Sequence, residues 1–261
     1  MSITPLTIFI IIAIIAVIYV LKGFKIIPQS ETRVVERLGR YDRTLQSGIN
    51  YLFPIIDRAR EISRFLISEG ADMIVVACNT ATAAAIATLR EEFPIRFIGM
   101  EPAIKPAAKA TKTGIVGVLA TAGTLKATKY IDTCAKWAEN VKVVEHIGQG
   151  FVELVESGNV DGPDAEATVR RSLTPLLDAG ADSIVLGCTH YPFLIDTMRK
   201  VSGSYFAAKG KSDPTVYFDP APAVARHLAD VMEEEGKIKR EGFSMSLHAS
   251  GEISVLENMF S

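Results

Sequence analysis

A ten-residue pattern occurs twice in this chain, 110 positions apart: Gly70-Ala71-Asp72-Met73-Ile74-Val75-Val76-Ala77-Cys78-Asn79 and Gly180-Ala181-Asp182-Ser183-Ile184-Val185-Leu186-Gly187-Cys188-Thr189. Each copy follows a helical pattern, turns at Gly-Ala-Asp and runs into apolar, β-branched residues without polar alternation. Such a run reads as a parallel strand buried on both faces. Each cysteine then stands at a strand's carboxyl end, the edge of an open α/β sheet at which ligands bind. The duplication predicts a pseudo-symmetric cleft with a thiol on either side. That arrangement suits removal of a proton from one face of a carbon and its return to the other.

The rest of the chain from residue 61 alternates in the same way. Helical spacing and glycine stops or caps predict helices over 61–70, 79–91, 123–138, 151–158, 164–179, 191–201 and 220–235. Strands are expected over 96–100, 115–120, 141–147 and 216–218. Alternating strands and helices specify an α/β class with parallel, doubly wound sheets. A hydrophobic share of 48% supplies an ample core, while a net charge of −2 and the absence of a long basic block argue against nucleic-acid binding. Cys78, Cys134 and Cys188 make no disulfide framework, and no Cys/His spacing matches a metal site. Free thiols point to a reducing compartment. Cys134, inside Asp132-Thr133-Cys134-Ala135, reads as a small hydrophobe.

The front of the chain is different. Residues 3–21 carry no charge and are almost wholly apolar, close to the ~20 residues a helix needs to cross a bilayer. Lys22 and Lys25 follow this run and no charge precedes it. The expectation is a membrane anchor over 1–23, with the remainder on the cytoplasmic side, at the inner face of the membrane. Beyond it, Ile26-Ile27-Pro28-Gln29-Ser30-Glu31, Val34-Val35-Glu36-Arg37-Leu38-Gly39-Arg40-Tyr41 and Leu52-Phe53-Pro54-Ile55-Ile56-Asp57-Arg58 stand in order. Over residues 1–58 the chain resembles the start of stomatin/prohibitin-like (slipin) membrane proteins, with 24–58 a strand segment.

From residue 60 a second resemblance takes over. "VVACNTATAAAIATLRE", "FIGMEPAIKPAAKAT", "GVLATAGTLKATKY", "GQGFVELVESG" and "LGCTHYPFL" follow one another as in glutamate racemases of the aspartate/glutamate racemase superfamily. "ACNTA" and "GCTHYP" suggest the superfamily, and "GMEPAIKPA" narrows the resemblance to the glutamate enzymes. What it implies is a pseudo-symmetric two-lobe parallel-sheet fold over 60–261 that converts L- to D-glutamate for peptidoglycan without a cofactor or metal. It also leaves room for a homodimer.

The residues themselves fit that chemistry. An α-proton is very weakly acidic, so without an organic cofactor the protein must supply both the base and the stabilising field. A thiol ionises near neutrality when a helix N-terminus or histidine favours its thiolate. By resemblance Cys78 and Cys188 are the two acid/base groups, one for each enantiomer. His190 is placed to polarise Cys188, and Glu156 matches a family acid beside the second cysteine. Asn79, Thr80 and Thr189 offer donors for a substrate carboxylate. Thr121 and Thr124 either contact the same ligand or cap the helix that follows.

The family's opening Asp-Ser-Gly loop and its Pro-Tyr-Gly loop do not occur in this sequence. The expectation is therefore a racemase body without its usual first strands, joined to a slipin-like segment as a chimera, with activity impaired. The competing expectation is a membrane-anchored stomatin-like scaffold or an inactive chimeric product.

Overall fold

A computed structural model of the chain describes residues 24–27, 33–37, 40–45, 48–51, 54–238, 242, 244–251, 253–254 and 256. The expected anchor over 3–21 lies outside them. No helix among the described residues is long and apolar enough to cross a membrane.

The chain divides into two compact units, residues 1–71 and 72–261. In the first, β1 (Phe24–Ile27) pairs antiparallel with β4 (Gly48–Tyr51), and β2 (Arg33–Arg37) pairs antiparallel with β3 (Arg40–Leu45). Helix α1 follows at Pro54–Ser68, starting seven residues before the expected 61. Pro54 explains the early start, because proline is pre-set for a helix's first turn. The helix ends where the glycine stop predicts. Gly70 takes φ +90°, its amide donates to Ile67 O and the amide of Ala71 reaches back to Leu66 O. That pair of bonds is a Schellman cap.

The second unit carries the remaining strands in two parallel sheets. β5 (Met73–Val76) pairs with β6 (Arg96–Gly99). β7 (Ile115–Ala120), β8 (Lys142–Ile147), β9 (Ser183–Leu186) and β10 (Val216–Phe218) form a four-stranded sheet in the order β10-β9-β7-β8. The helices between them are α2 (Asn79–Glu92), α3 (Ile104–Ala110), α4 (Ala122–Leu125), α5 (Thr128–Trp137), α6 (Phe151–Glu156), α7 (Gly162–Asp178), α8 (Ile195–Ala207) and α9 (Ala221–Glu234). The single helix expected over 123–138 is two, α4 and α5. The one expected from 191 opens as a 3-10 turn, Tyr191–Leu194. Pro192 sits inside that turn, which starts before α8 proper.

The absence of alternation in β7 and β9 has its physical cause in the core. Leu119, Ile184 and Leu186 pack on one face with Leu173, Leu176 and Leu177 of α7, while Val116, Val118, Ala120 and Val185 pack on the other with Ile104 and Ala107 of α3 and Tyr130 of α5. Both faces are dry, so neither strand alternates apolar with polar residues, Ser183 at the start of β9 being the one polar position. Gly117 lets α7 approach: a Cβ there would lie 2.6 Å from Ile184 Cδ1 and 3.0 Å from Leu176 Cδ1.

The two copies of the repeat fold alike at their entrances. Gly180 has φ +89°, and the amides of Gly180 and Ala181 donate to Leu177 O and Leu176 O, as at Gly70. They differ at the aspartate. Asp182 is buried and accepts bonds from Thr111 Oγ1, the Lys112 amide at 2.7 Å and the Thr113 amide at 3.0 Å. Burial works to raise its pKa, but those bonds together with Ser183 outweigh it and hold the carboxyl below its ordinary range. Asp72 is exposed and offers only its carbonyl, to Lys237 Nζ. β9 is buried along its whole length and β5 only in part.

Candidate active site

Both cysteines lie just past the carboxyl ends of the repeat strands, as the sequence predicts. Cys78 occupies the N-cap of α2 with an extended backbone, φ −137° and ψ 126°, and no side chain caps that helix. The cap position thus belongs to the cysteine, and Asn79 and Thr80 form the first turn. Cys188 follows Gly187, and its carbonyl accepts the Tyr191 amide at 3.1 Å, closing the turn that leads into the 3-10 segment. Cys78 is exposed, whereas Cys188 is half-buried.

The environment of Cys188 differs from the expected lowering by a helix terminus. Burial pushes its thiol above the ordinary range and the neighbouring Cys78 pushes it further. The His190 amide and the hydroxyl and amide of Thr189 offset this only in part. Desolvation wins because a thiolate loses more hydration than three donors return. Cys188 rests as a thiol at neutral pH, a proton donor by default. Its alkylation by iodoacetamide, followed by mass spectrometry, is expected to rise with pH through a midpoint above that of an ordinary thiol. Cys78→Ala should lower that midpoint, since it removes the charge that disfavours ionisation. A wild-type midpoint at or below the ordinary value would contradict the buried, coupled setting.

His190 and Glu156 are brought to Cys188 in series. His190 Nδ1 stands 3.7 Å from Cys188 Sγ, and Nε2 stands 3.5 Å from Glu156 Oε1. Glu156 reaches this place from the last turn of α6. The carboxylate is half exposed, so its attraction for a protonated imidazole is weak.

The threonines converge from two segments, Thr80 from the start of α2 and Thr121 and Thr124 from the start of α4. Thr80 Oγ1 is 3.1 Å from Thr124 Oγ1 and 3.5 Å from Thr121 Oγ1, and Thr121 and Thr124 are 3.1 Å apart. Thr121 is also the N-cap of α4, accepting from the Thr124 amide at 3.3 Å. The capping reading thus holds for Thr121. Thr189 lies instead against the Cys188 thiol. Asn79 is buried at 6% exposure, and its Nδ2 donates to Gly187 O at 3.0 Å. Cys134 is free and half-buried, and burial raises its thiol.

Several supporting residues escaped the sequence reading. Thr82 accepts from the Met100 amide and donates to Val76 O, both at 3.0 Å, fastening the ends of β5 and β6 together. Gly148 admits no side chain: a Cβ would lie 2.6 Å from the Tyr191 ring and 2.8 Å from Phe151. Only the position of Gly148 in "GQGF", three residues before the start of α6, hinted at a tight approach.

A family model described as Asp/Glu/Hydantoin racemase matches residues 29–228, beginning inside the segment likened to slipins. A glutamate racemase of Roseiflexus sp. (strain RS-1) is 48% identical over 182 residues, which are 69% of this chain and 64% of that protein. One from Stutzerimonas stutzeri (strain A1501) is 38% identical over 199 residues, 76% of this chain and 72% of the relative. The chain spans just under two thirds of the first relative's length. Among solved structures, an Escherichia coli glutamate racemase in complex with L-glutamate and the activator UDP-MurNAc-Ala superposes with a TM-score of 0.61 at 32% identity, covering 70% of this chain and 69% of that one. With the duplicated strands, paired thiols and parallel sheets on the same residues, the chain belongs to the Asp/Glu/hydantoin racemase family.

Proposed function

We propose that this chain interconverts L- and D-glutamate without an organic cofactor, supplying D-glutamate for peptidoglycan. The observation that carries this reading is the placement of Cys78 and Cys188 past the ends of the two repeat strands, close enough for the charge of one to act on the other. One thiolate takes the α-proton, and the opposite thiol gives its proton to the other face of the carbanion. The next turnover starts from the mirror-related protonation state. The His190–Glu156 pair supports the proton on Cys188, and the Thr80, Thr121 and Thr124 hydroxyls, with Asn79 and Thr189 beside the thiols, line the place for substrate polar groups.

The test is α-proton exchange. The purified chain, kept reduced, is incubated with L-glutamate in D₂O and followed by NMR against a Cys78→Ala, Cys188→Ala control, with L-aspartate in parallel. Loss of the glutamate α-proton above control, with D-glutamate formed, supports the reading. Faster exchange with aspartate would move the substrate, and no exchange from folded protein would end it.

The sequence of residues 3–21 supports a membrane tether holding this body at the cytoplasmic face. The slipin-like segment and chimeric origin rest likewise on sequence alone, and so does the homodimer. A stomatin-type scaffold would sediment with membranes and show no turnover.

A further inference from the structure

The two cysteine loops leave their sheets by different means. Past β9 the ladder continues by a direct bond, the Gly187 amide donating to Leu119 O at 2.7 Å, and Cys188 comes next. Past β5 a side chain stands in the gap. The register pairs Val76 with Gly99, and one step beyond that pair the Thr82 hydroxyl accepts from the Met100 amide and donates to Val76 O, both at 3.0 Å. The amide of the same residue donates to Cys78 O at 2.8 Å. Thr82 therefore holds the carbonyls on either side of Ala77, and with them the peptide that leads into Cys78.

The side chain has one place to be. Thr82 is fully buried, and its Cγ2 lies 2.7 Å from where a Cβ on Gly99 would stand, so only glycine there leaves room for it. In the second copy of the repeat the residue four places after the cysteine is Pro192, which has no hydroxyl to offer. We propose that Thr82 is a positioning residue for Cys78: its hydroxyl, inserted between the ends of β5 and β6, sets where the Cys78 loop leaves the sheet. The proposal rests on the two-thiol reading of the site. Without the hydroxyl, Val76 O and the Met100 amide lose a shared partner in a buried place. The strand ends must then close to pair directly or leave both groups unsatisfied, and either change shifts the chain two residues ahead of Cys78.

The test separates the two thiols. Loss of the glutamate α-proton to D₂O is followed by NMR from each enantiomer in two backgrounds: Cys188→Ala, where exchange runs through Cys78, and Cys78→Ala, where it runs through Cys188. Adding Thr82→Val, which keeps the branched shape and removes the hydrogen bonds, should lower the Cys78-dependent exchange by about 10- to 100-fold and leave the Cys188-dependent exchange unchanged. Thr82→Ser keeps the hydroxyl and should retain both. A defect that merely reduces the amount of folded protein would lower both exchanges by one factor. That result, an unaltered Cys78-dependent exchange, or its loss in Thr82→Ser would overturn the proposal.

A second measurement needs no turnover, and it decides the matter for Thr82 if neither single-cysteine background exchanges and the two-thiol reading itself fails. Cysteine-selective ¹³C labelling gives three Cβ signals, from Cys78, Cys134 and Cys188, assigned through the alanine variants. Thr82→Val should move the Cys78 signal and leave the other two in place, while Thr82→Ser should move none. A Cys78 signal unmoved by Thr82→Val, or all three moved together, would overturn the positioning role.

Discussion

Replacing Cys188 by alanine is expected to lower racemisation of glutamate by roughly 10²–10⁴-fold, the range for removal of a positioned acid/base group. The loss should appear equally in kcat/KM for both directions. Mirror-image substrates have the same free energy, so these two quantities must stay equal in any variant. What should survive is exchange without inversion, from the enantiomer that Cys78 deprotonates: the α-proton is lost to D₂O and replaced on the same face. Chiral chromatography together with NMR separates the two events. Undiminished racemisation by Cys188→Ala would exclude the two-thiol mechanism for this chain. Loss of exchange from both enantiomers would show that Cys78 cannot act alone. The buried setting that keeps Cys188 protonated makes it the natural donor, and alanine leaves nothing in its place to reprotonate the far face.

Phe151→Ala is expected to cost about 3–5 kcal/mol of folding stability, read from urea unfolding. The ring has no exposure and stacks edge-on against Tyr191 with centroids 5.0 Å apart and planes at 70°. The backbone of Gly148 lies against both rings, and its carbonyl accepts from Tyr191 Oη at 3.3 Å. Tyr191 closes the Cys188-Thr189-His190 turn, and α6, which Phe151 begins, carries Glu156 to His190. Losing the ring should therefore loosen the Cys188 loop and the Glu156 carboxylate at once, so activity should decline in conditions where the protein remains folded. A cost below about 1 kcal/mol would mean that the site collapses to fill the space.

The uneven behaviour of the repeat shows where sequence reading reaches its limit. The Gly-Ala-Asp entrances look equivalent as text, and the glycines are equivalent in space, because a Schellman cap is decided by a few local residues. The aspartates are not. Asp182 collects Thr111 and the amides of Lys112 and Thr113, some seventy residues away, while Asp72 is exposed. The thiols diverge likewise: helix-terminus reasoning predicted a lowered Cys188, but its burial, which no local pattern encodes, prevailed. Pro54 started α1 earlier than the hydrophobic spacing suggested, and the helix expected over 123–138 concealed a break between α4 and α5.

By itself the sequence determined the α/β class, the parallel strands, the placement of Cys78 and Cys188 at strand ends, and the family resemblance. These depend on periodicity, turn residues and short motifs, which are local or recur at a fixed interval. Only the tertiary structure decided that Asn79 binds Gly187, that three threonines meet, and that Glu156 comes within 3.5 Å of His190. Each of those facts depends on side chains distant in sequence reaching a common point, and that point exists only after the sheets and helices have packed.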